Sequence, residues 1–401
     1  MTRRARVGVA AGAMVFLLGA LAIVPRRKAN ADAPYVPQAD EIVEVLPPGS
    51  SDPRSRELTA LHKRLEANPR DVALAVRVAR MEIEGSRARS DPRFLGRAQA
   101  ALAPWWGAAD APVPVLVLRA TIRQSLHDFD GALADLDRVV RVAPGDAQAW
   151  LTRSVVLTVR GEYDEAKKSC APLAGLAGEL VSAVCFASIQ AVTGEAKLAY
   201  DALQSALAKS PPQTPSEEAW VTGTLAEIAV RRGDAAAAEK HFQRTLALDP
   251  SDAYAIAAYA DLLIDLGRAA DAVSVVGDRT ANDGLLLRLA IAETARDGAA
   301  APKYAAMLRE RFDASRQRGD VVHRREEARF RLLEKDPTRA LDLAKANFGV
   351  QREPWDVRVL LQAAISANDR DAAQPALDFV ANNKLEDPQI AALVAKLGAK
   401  K

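Results

Sequence analysis

Phe129 and Tyr163 stand 34 residues apart, and so do Ala132 and Ala166 and the pair Leu116 and Trp150. Further along, Gly233 and Gly267 repeat the interval, as do Ala238 and Ala272. A fixed period of this size constrains a chain more than its composition does. It marks one supersecondary unit that buries too little apolar surface alone and folds only when copies are stacked. Asn68-Pro69, Ala143-Pro144 and Asp249-Pro250 each close one helical pattern and open the next. Aromatic residues make up 5% of the chain and alanine is abundant. Alanine is the strongest helix former and lets helices cross closely, so the composition points to thin helical layers and away from a sandwich or barrel.

The unit is similar to the tetratricopeptide repeat, a helix-turn-helix of 34 residues. Residues 219 to 250, AWVTGTLAEIAVRRGDAAAAEKHFQRTLALDP, carry the resemblance best. Ala226 is the small residue of the first helix and Gly233 the turn. Ala238 and Phe242 form the packing pair of the second helix, and Pro250 ends it. The copy from Ala147 supplies Trp150, Ser154, Gly161, Tyr163 and Ala166, with Gly178 where proline is expected. Copies fall near 72–106, 113–146, 147–180, 181–213, 219–252 and 253–284, after a half copy at 55–69. The repeat region therefore spans 55–284, and a degenerate stretch, 285–382, adds about three helix pairs. Residues 285–401 end in a capping helix. The resemblance implies an all-α solenoid wound as a right-handed superhelix. Ala132, Ala226 and Ala260 lie where helices cross, and a bulky residue there costs about 1–3 kcal/mol by overpacking.

The first 54 residues differ in kind. Val7–Val24 are eighteen uncharged residues after a basic start, and ANA-D places a possible cleavage after Ala31. Residues 1–31 thus read as a signal peptide or a retained signal anchor. Residues 32–54 read as a proline-rich spacer, since six prolines fall between Pro25 and Pro53. The expected location is the periplasmic side of a bacterial inner membrane. The body is either held there by the N-terminal helix or released as a soluble periplasmic protein.

Charge narrows the partners. Of 54 Lys and Arg, six precede the first acid, Asp32, so the remaining 48 face 52 Asp and Glu. A body carrying about −4 does not suggest nucleic acid. The arginine-rich stretch 303–331 alternates with acids and reads as a solvated helix face. No phosphate loop, nucleophile elbow or H-E-x-x-H motif is present, so neither an enzyme nor a cofactor or small-molecule substrate is expected. His323 and Glu326, at i, i+3, make a poor metal site. Residues 85–92, GSRARSDP, read as a loop inserted between two helices.

Two features remain. Cys170, late in one helix, and Cys185, early in the next, are nearly symmetric about the turn at Gly175 to Gly178. Antiparallel packing would bring them together, and an oxidising compartment would then allow a disulfide closing 15 residues, a constraint of about 3 kcal/mol. They could equally be two small buried apolar residues. The family resemblance also implies a concave groove lined by particular positions of each first helix. On the two best copies these are Trp220, Glu227 and Arg231, then Tyr254, Asp261 and Asp265. Thr121, Gln124, Gln148 and Thr158 are the blander equivalents in earlier copies. An aromatic ladder beside a carboxylate ladder suits an extended protein segment with basic or apolar side chains. The Lys and Asn pattern that clamps a C-terminal carboxylate in some family members is missing. The function expected is a non-enzymatic scaffold that takes a protein or peptide partner in this groove, or else an exported subunit whose convex face packs into a larger complex.

Overall fold

The computed structural model describes residues 53–89, 91, 93–319 and 322–398. Among them are twenty-one α-helices and no strand. The apolar segment Val7–Val24 and nearly all of the proline-rich spacer lie outside the described residues. Among those described, no helix is long and apolar enough to cross a membrane.

A single helix, α1 (Pro53–Ala67), precedes the helix pairs. The first three pairs are α2 (Val72–Arg89) with α3 (Arg93–Ala101), α4 (Val113–Ser125) with α5 (Phe129–Val142), and α6 (Ala147–Arg160) with α7 (Tyr163–Cys170). A short α8 (Leu173–Ala177) follows, because Pro172 cannot continue the helix that ends at Cys170. Next come α9 (Glu179–Gln190) with α10 (Ala196–Lys209), α11 (Pro215–Arg231) with α12 (Ala235–Leu248), and α13 (Ala253–Asp265) with α14 (Ala269–Val276). The remaining pairs are α15 (Asp283–Ala295) with α16 (Ala301–Gln317), α17 (Arg324–Leu333) with α18 (Pro337–Phe348), and α19 (Pro354–Ser366) with α20 (Gln374–Asn383). The last helix is α21 (Pro388–Gly398).

Local chemistry sets these boundaries. Asp128, Asp146, Asp234 and Asp252 each sit just before a helix and accept a backbone N–H from its first turn. A cap of this kind stabilises a helix by about 1 kcal/mol. Gly161, Gly233 and Gly267 take left-handed φ values of 79°, 73° and 73° at the turns within pairs, a conformation only glycine adopts without strain. In α5, Phe129, Ala132, Leu136 and Val139 are buried along one face, spaced three and four residues apart. The crossing alanines Ala132, Ala226 and Ala260 are completely buried.

Residues 85–89 of the stretch 85–92 are helical and do not form the inserted loop their composition suggests. Helix α2 continues through Arg89. Gly85 allows this, since a Cβ there would stand 2.7 Å from the Phe94 ring of α3. The partner helix therefore packs directly against the extended turn.

The later helix pairs come back against the earlier ones. Leu157, Tyr163, Cys170 and Ile189 share one apolar cluster with Leu360, Phe379 and Ile390. The backbone N–H of Arg352 donates to the Val159 carbonyl at 2.7 Å. The chain from α20 to α21 then crosses three successive turns. Phe379 lies against Gly161, Lys384 against Gly194 and Pro388 against Gly233. The Glu386 carboxylate accepts from the Ala196 N–H at 3.2 Å. The solenoid is an all-α stack whose final pairs close over the concave face of its middle pairs.

Candidate functional site

The first helices of successive pairs place their free positions on that concave face. In α11, Trp220, Thr224, Glu227 and Arg231 are spaced four, three and four residues apart and form one stripe. In α13, Asp252 caps the helix by accepting from the Tyr254 and Ala255 N–H groups at 3.0 Å, which fixes Tyr254 at the mouth of the groove. These side chains line a cavity of about 300 Å³ with Val155 and Thr158 of α6, Ser188 of α9, and Glu353 and Pro354 at the start of α19. Four repeats and the closing segment thus meet in one space.

Trp220 is 37% exposed and Tyr254 65% exposed, large values for aromatic side chains on a folded body. Val155 is a third exposed apolar residue at the same cavity. Tyr254 stands in a concave space, so its ring is wet while its surroundings are dense with protein. That combination sets the electrostatics. Burial pushes the Glu227 carboxyl up, only partly offset by Arg231 and by the hydrogen bond the Tyr254 hydroxyl donates. Arg231 holds Glu227 at 3.9 Å, the long end of an ion pair. The Glu227 charge, and then burial, push the Tyr254 phenol well above its ordinary value.

Asp261 and Asp265 occupy the expected face but meet the protein's own C-terminal half. Asp261 is buried and receives Arg288 and Arg329, each with a contact of 2.7 Å. Burial pushes the Asp261 carboxyl up, but the two guanidiniums draw it down to about 2. Asp265 is held in a two-pronged pair with Arg358, at 2.6 and 2.5 Å. Arg329 and Arg358 both lie over the Trp355 ring, at 4.0 and 4.3 Å from its centroid. The structure therefore joins Trp220, Glu227, Arg231 and Tyr254 at one cavity and gives the two aspartates intramolecular partners.

The arginine-rich stretch keeps Arg309, Arg316 and Arg318 of the α16 end exposed, and only its α17 part departs from a solvated face. Arg329 is buried against Asp261, and Arg331 pairs with Glu327 and Glu334 inside its own helix pair. Helix α17 faces inward because the solenoid has curved far enough to bring it opposite α13. Cys170 and Cys185 are joined by a disulfide with their Cα atoms 5.7 Å apart. The Ser154 hydroxyl lies 3.2 Å from each sulfur, and Cys185 borders the cavity. Among the described residues, no group of three or more His, Cys, Asp or Glu side chains is arranged to hold a metal ion. His323 and Glu326 accordingly have no third ligand there.

Glu353 and Pro354 carry no sequence signal for this site. Pro354 opens α19 at a position where proline is at home, and nothing local tells that this helix start will face α11 and α13.

The stacked pairs define a helical-repeat solenoid with a cavity on its concave face. Residues 117–169 and 229–285 match family models for the tetratricopeptide repeat. The second matched segment contains Tyr254, Asp261 and Asp265. No curated protein matches the chain. Similar solved structures include a thermophilic TPR protein of Thermus thermophilus, at 21% identity over 46% of this chain and 99% of that one, with a TM-score of 0.36. A tetratricopeptide repeat protein of Parabacteroides merdae aligns at 15% identity over 71% of this chain and 98% of that one, TM-score 0.37. The human IFIT1 dimer with m7Gppp-AAAA aligns at 12% identity over 86% of this chain and 78% of that one, TM-score 0.49.

Proposed function

We propose that this protein is a non-enzymatic scaffold that takes an extended segment of a protein partner in the cavity walled by α6, α9, α11, α13 and the start of α19. One observation carries the reading. Trp220 and Tyr254 present large apolar rings to a concave space where polar groups converge, and exposed aromatics in such a place mark a binding site. Both rings can anchor a partner, while rim charges select it. The disulfide supports placing the body in an oxidising compartment. We place it on the periplasmic side of a bacterial membrane, anchored through Val7–Val24 or released after Ala31. N-terminal sequencing separates these two: Met1 in the membrane fraction means an anchor, and Asp32 in the soluble fraction means cleavage.

The binding reading is tested with Trp220→Ala combined with Tyr254→Ala. The tagged double variant should keep its helicity and melting behaviour yet lose the partner that the native chain captures. Capture at native strength by a well-folded double variant contradicts the reading.

A further inference from the structure

The cavity has a charge character that the repeat pattern alone does not set. Its charged lining comprises three carboxylates, Glu227, Asp252 and Glu353, against one guanidinium, Arg231. Asp252 is occupied in capping α13, and Glu353 in holding Arg325 at 2.8 Å. Glu227 has Arg231 as its cation, at 3.9 Å. It is the carboxylate whose charge is least compensated, and it is the strongest influence on the neighbouring phenol of Tyr254. Burial raises the Glu227 carboxyl, and the Glu227 charge raises the Tyr254 phenol.

Elsewhere this molecule repeatedly sets a guanidinium over an aromatic ring beside a carboxylate. Arg329 and Arg358 lie over Trp355 while pairing with Asp261 and Asp265. Among the described residues, no guanidinium lies over Trp220 or Tyr254, and no other ring stacks on either. Two exposed rings next to an under-compensated carboxylate offer the same chemistry to a cation from outside. The size agrees. About 300 Å³ is the low end of binding cavities and accommodates one long side chain.

We infer that the cavity receives a lysine or arginine side chain of the partner segment, with Glu227 as its charge partner, Glu353 contributing negative field, and Trp220 and Tyr254 as its aromatic walls. This rests on the peptide-binding reading above and adds the chemical class of the residue bound. An acidic side chain would meet three carboxylates at close quarters. A purely apolar one would cover Glu227 without supplying a partner, and a buried carboxylate left so is costly. Glu353 arrives only because the final helix pairs close over the concave face, so the basic preference belongs to the closed solenoid.

The test uses the full chain and three extended twelve-residue peptides differing only at every third position, which is Arg or Lys, Gln with Leu, or Glu. Binding is read by calorimetry at low and moderate salt. The basic peptide should bind at least about fivefold more tightly than the neutral one. Glu227→Gln, which preserves shape, should remove most of that preference by bringing the basic peptide's affinity close to that of the neutral one measured on the same variant. Tyr254→Leu, at an exposed ring, should weaken the basic peptide more than the neutral one and serves if the Glu227 variant does not fold. Equal binding of basic and neutral peptides, untouched by Glu227→Gln, overturns the inference and leaves peptide binding standing. Binding of none of the three removes the underlying reading and the inference with it.

Discussion

Asp261 shows what a single side chain does in the closed solenoid. Its carboxylate neutralises Arg288 from the neighbouring pair and Arg329 from a residue 68 positions away, all three being buried. Asp261→Asn would leave two buried guanidiniums facing each other, a loss of about 3–5 kcal/mol by comparison with other broken buried pairs. The pH dependence follows from direction. The folded carboxyl sits at about 2 against an ordinary value of 3.8, so its stabilisation is present above the ordinary value and lost as pH falls from about 4 through 2. Glu326, drawn down to about 2 with Arg325 beside it, acts in the same direction. Urea midpoints of the native chain should fall steeply across that window, and Asp261→Asn should show a shallower fall. Identical pH slopes for the two proteins would mean that Asp261 does not hold these arginines.

At the scale of elements, the turn glycines separate local geometry from long-range packing. Gly161 and Gly267 have nearly the same left-handed backbone, φ 79° and 73°. A Cβ on Gly267 meets nothing within 4 Å, whereas one on Gly161 would stand 2.8 Å from the Phe379 ring. Gly267→Ala should therefore cost only the backbone term, about 1–2 kcal/mol. Gly161→Ala should cost about 1–3 kcal/mol more from overpacking against α20. Equal losses in thermal or chemical unfolding would contradict the placement of Phe379. The helices themselves were legible in the sequence, because the apolar stripe of α5, the aspartate caps and the turn glycines are all local signals. The extension of α2 through Gly85 was not, since its cause is the Phe94 ring of the next helix. The break at Pro172 was open to a local reading, but the 34-residue register hid it.

For the whole molecule, the decisive property is curvature accumulated over many pairs. The stripe of Trp220, Glu227, Arg231 and Tyr254 followed from repeat register, and these four residues do share one cavity. Asp261 and Asp265 belong to the same register, yet their neighbours come from α15, α17 and α19. No period links Asp265 to Arg358 across 93 residues, and Glu353 has no partner in the repeat pattern. What the sequence concealed is how far the stack turns, which small rotations at every interface decide together. Closure also brings Glu353 and Pro354 to the cavity that the first helices line.

The most direct test of that closure is a double-mutant cycle on Asp265 and Arg358, using Asp265→Asn, Arg358→Gln and the combined variant in chemical unfolding. A two-pronged, largely enclosed pair predicts a coupling of about 1 kcal/mol or more. Effects that add to within about 0.5 kcal/mol would mean that the two residues do not meet and the final helix pairs do not close over the cavity.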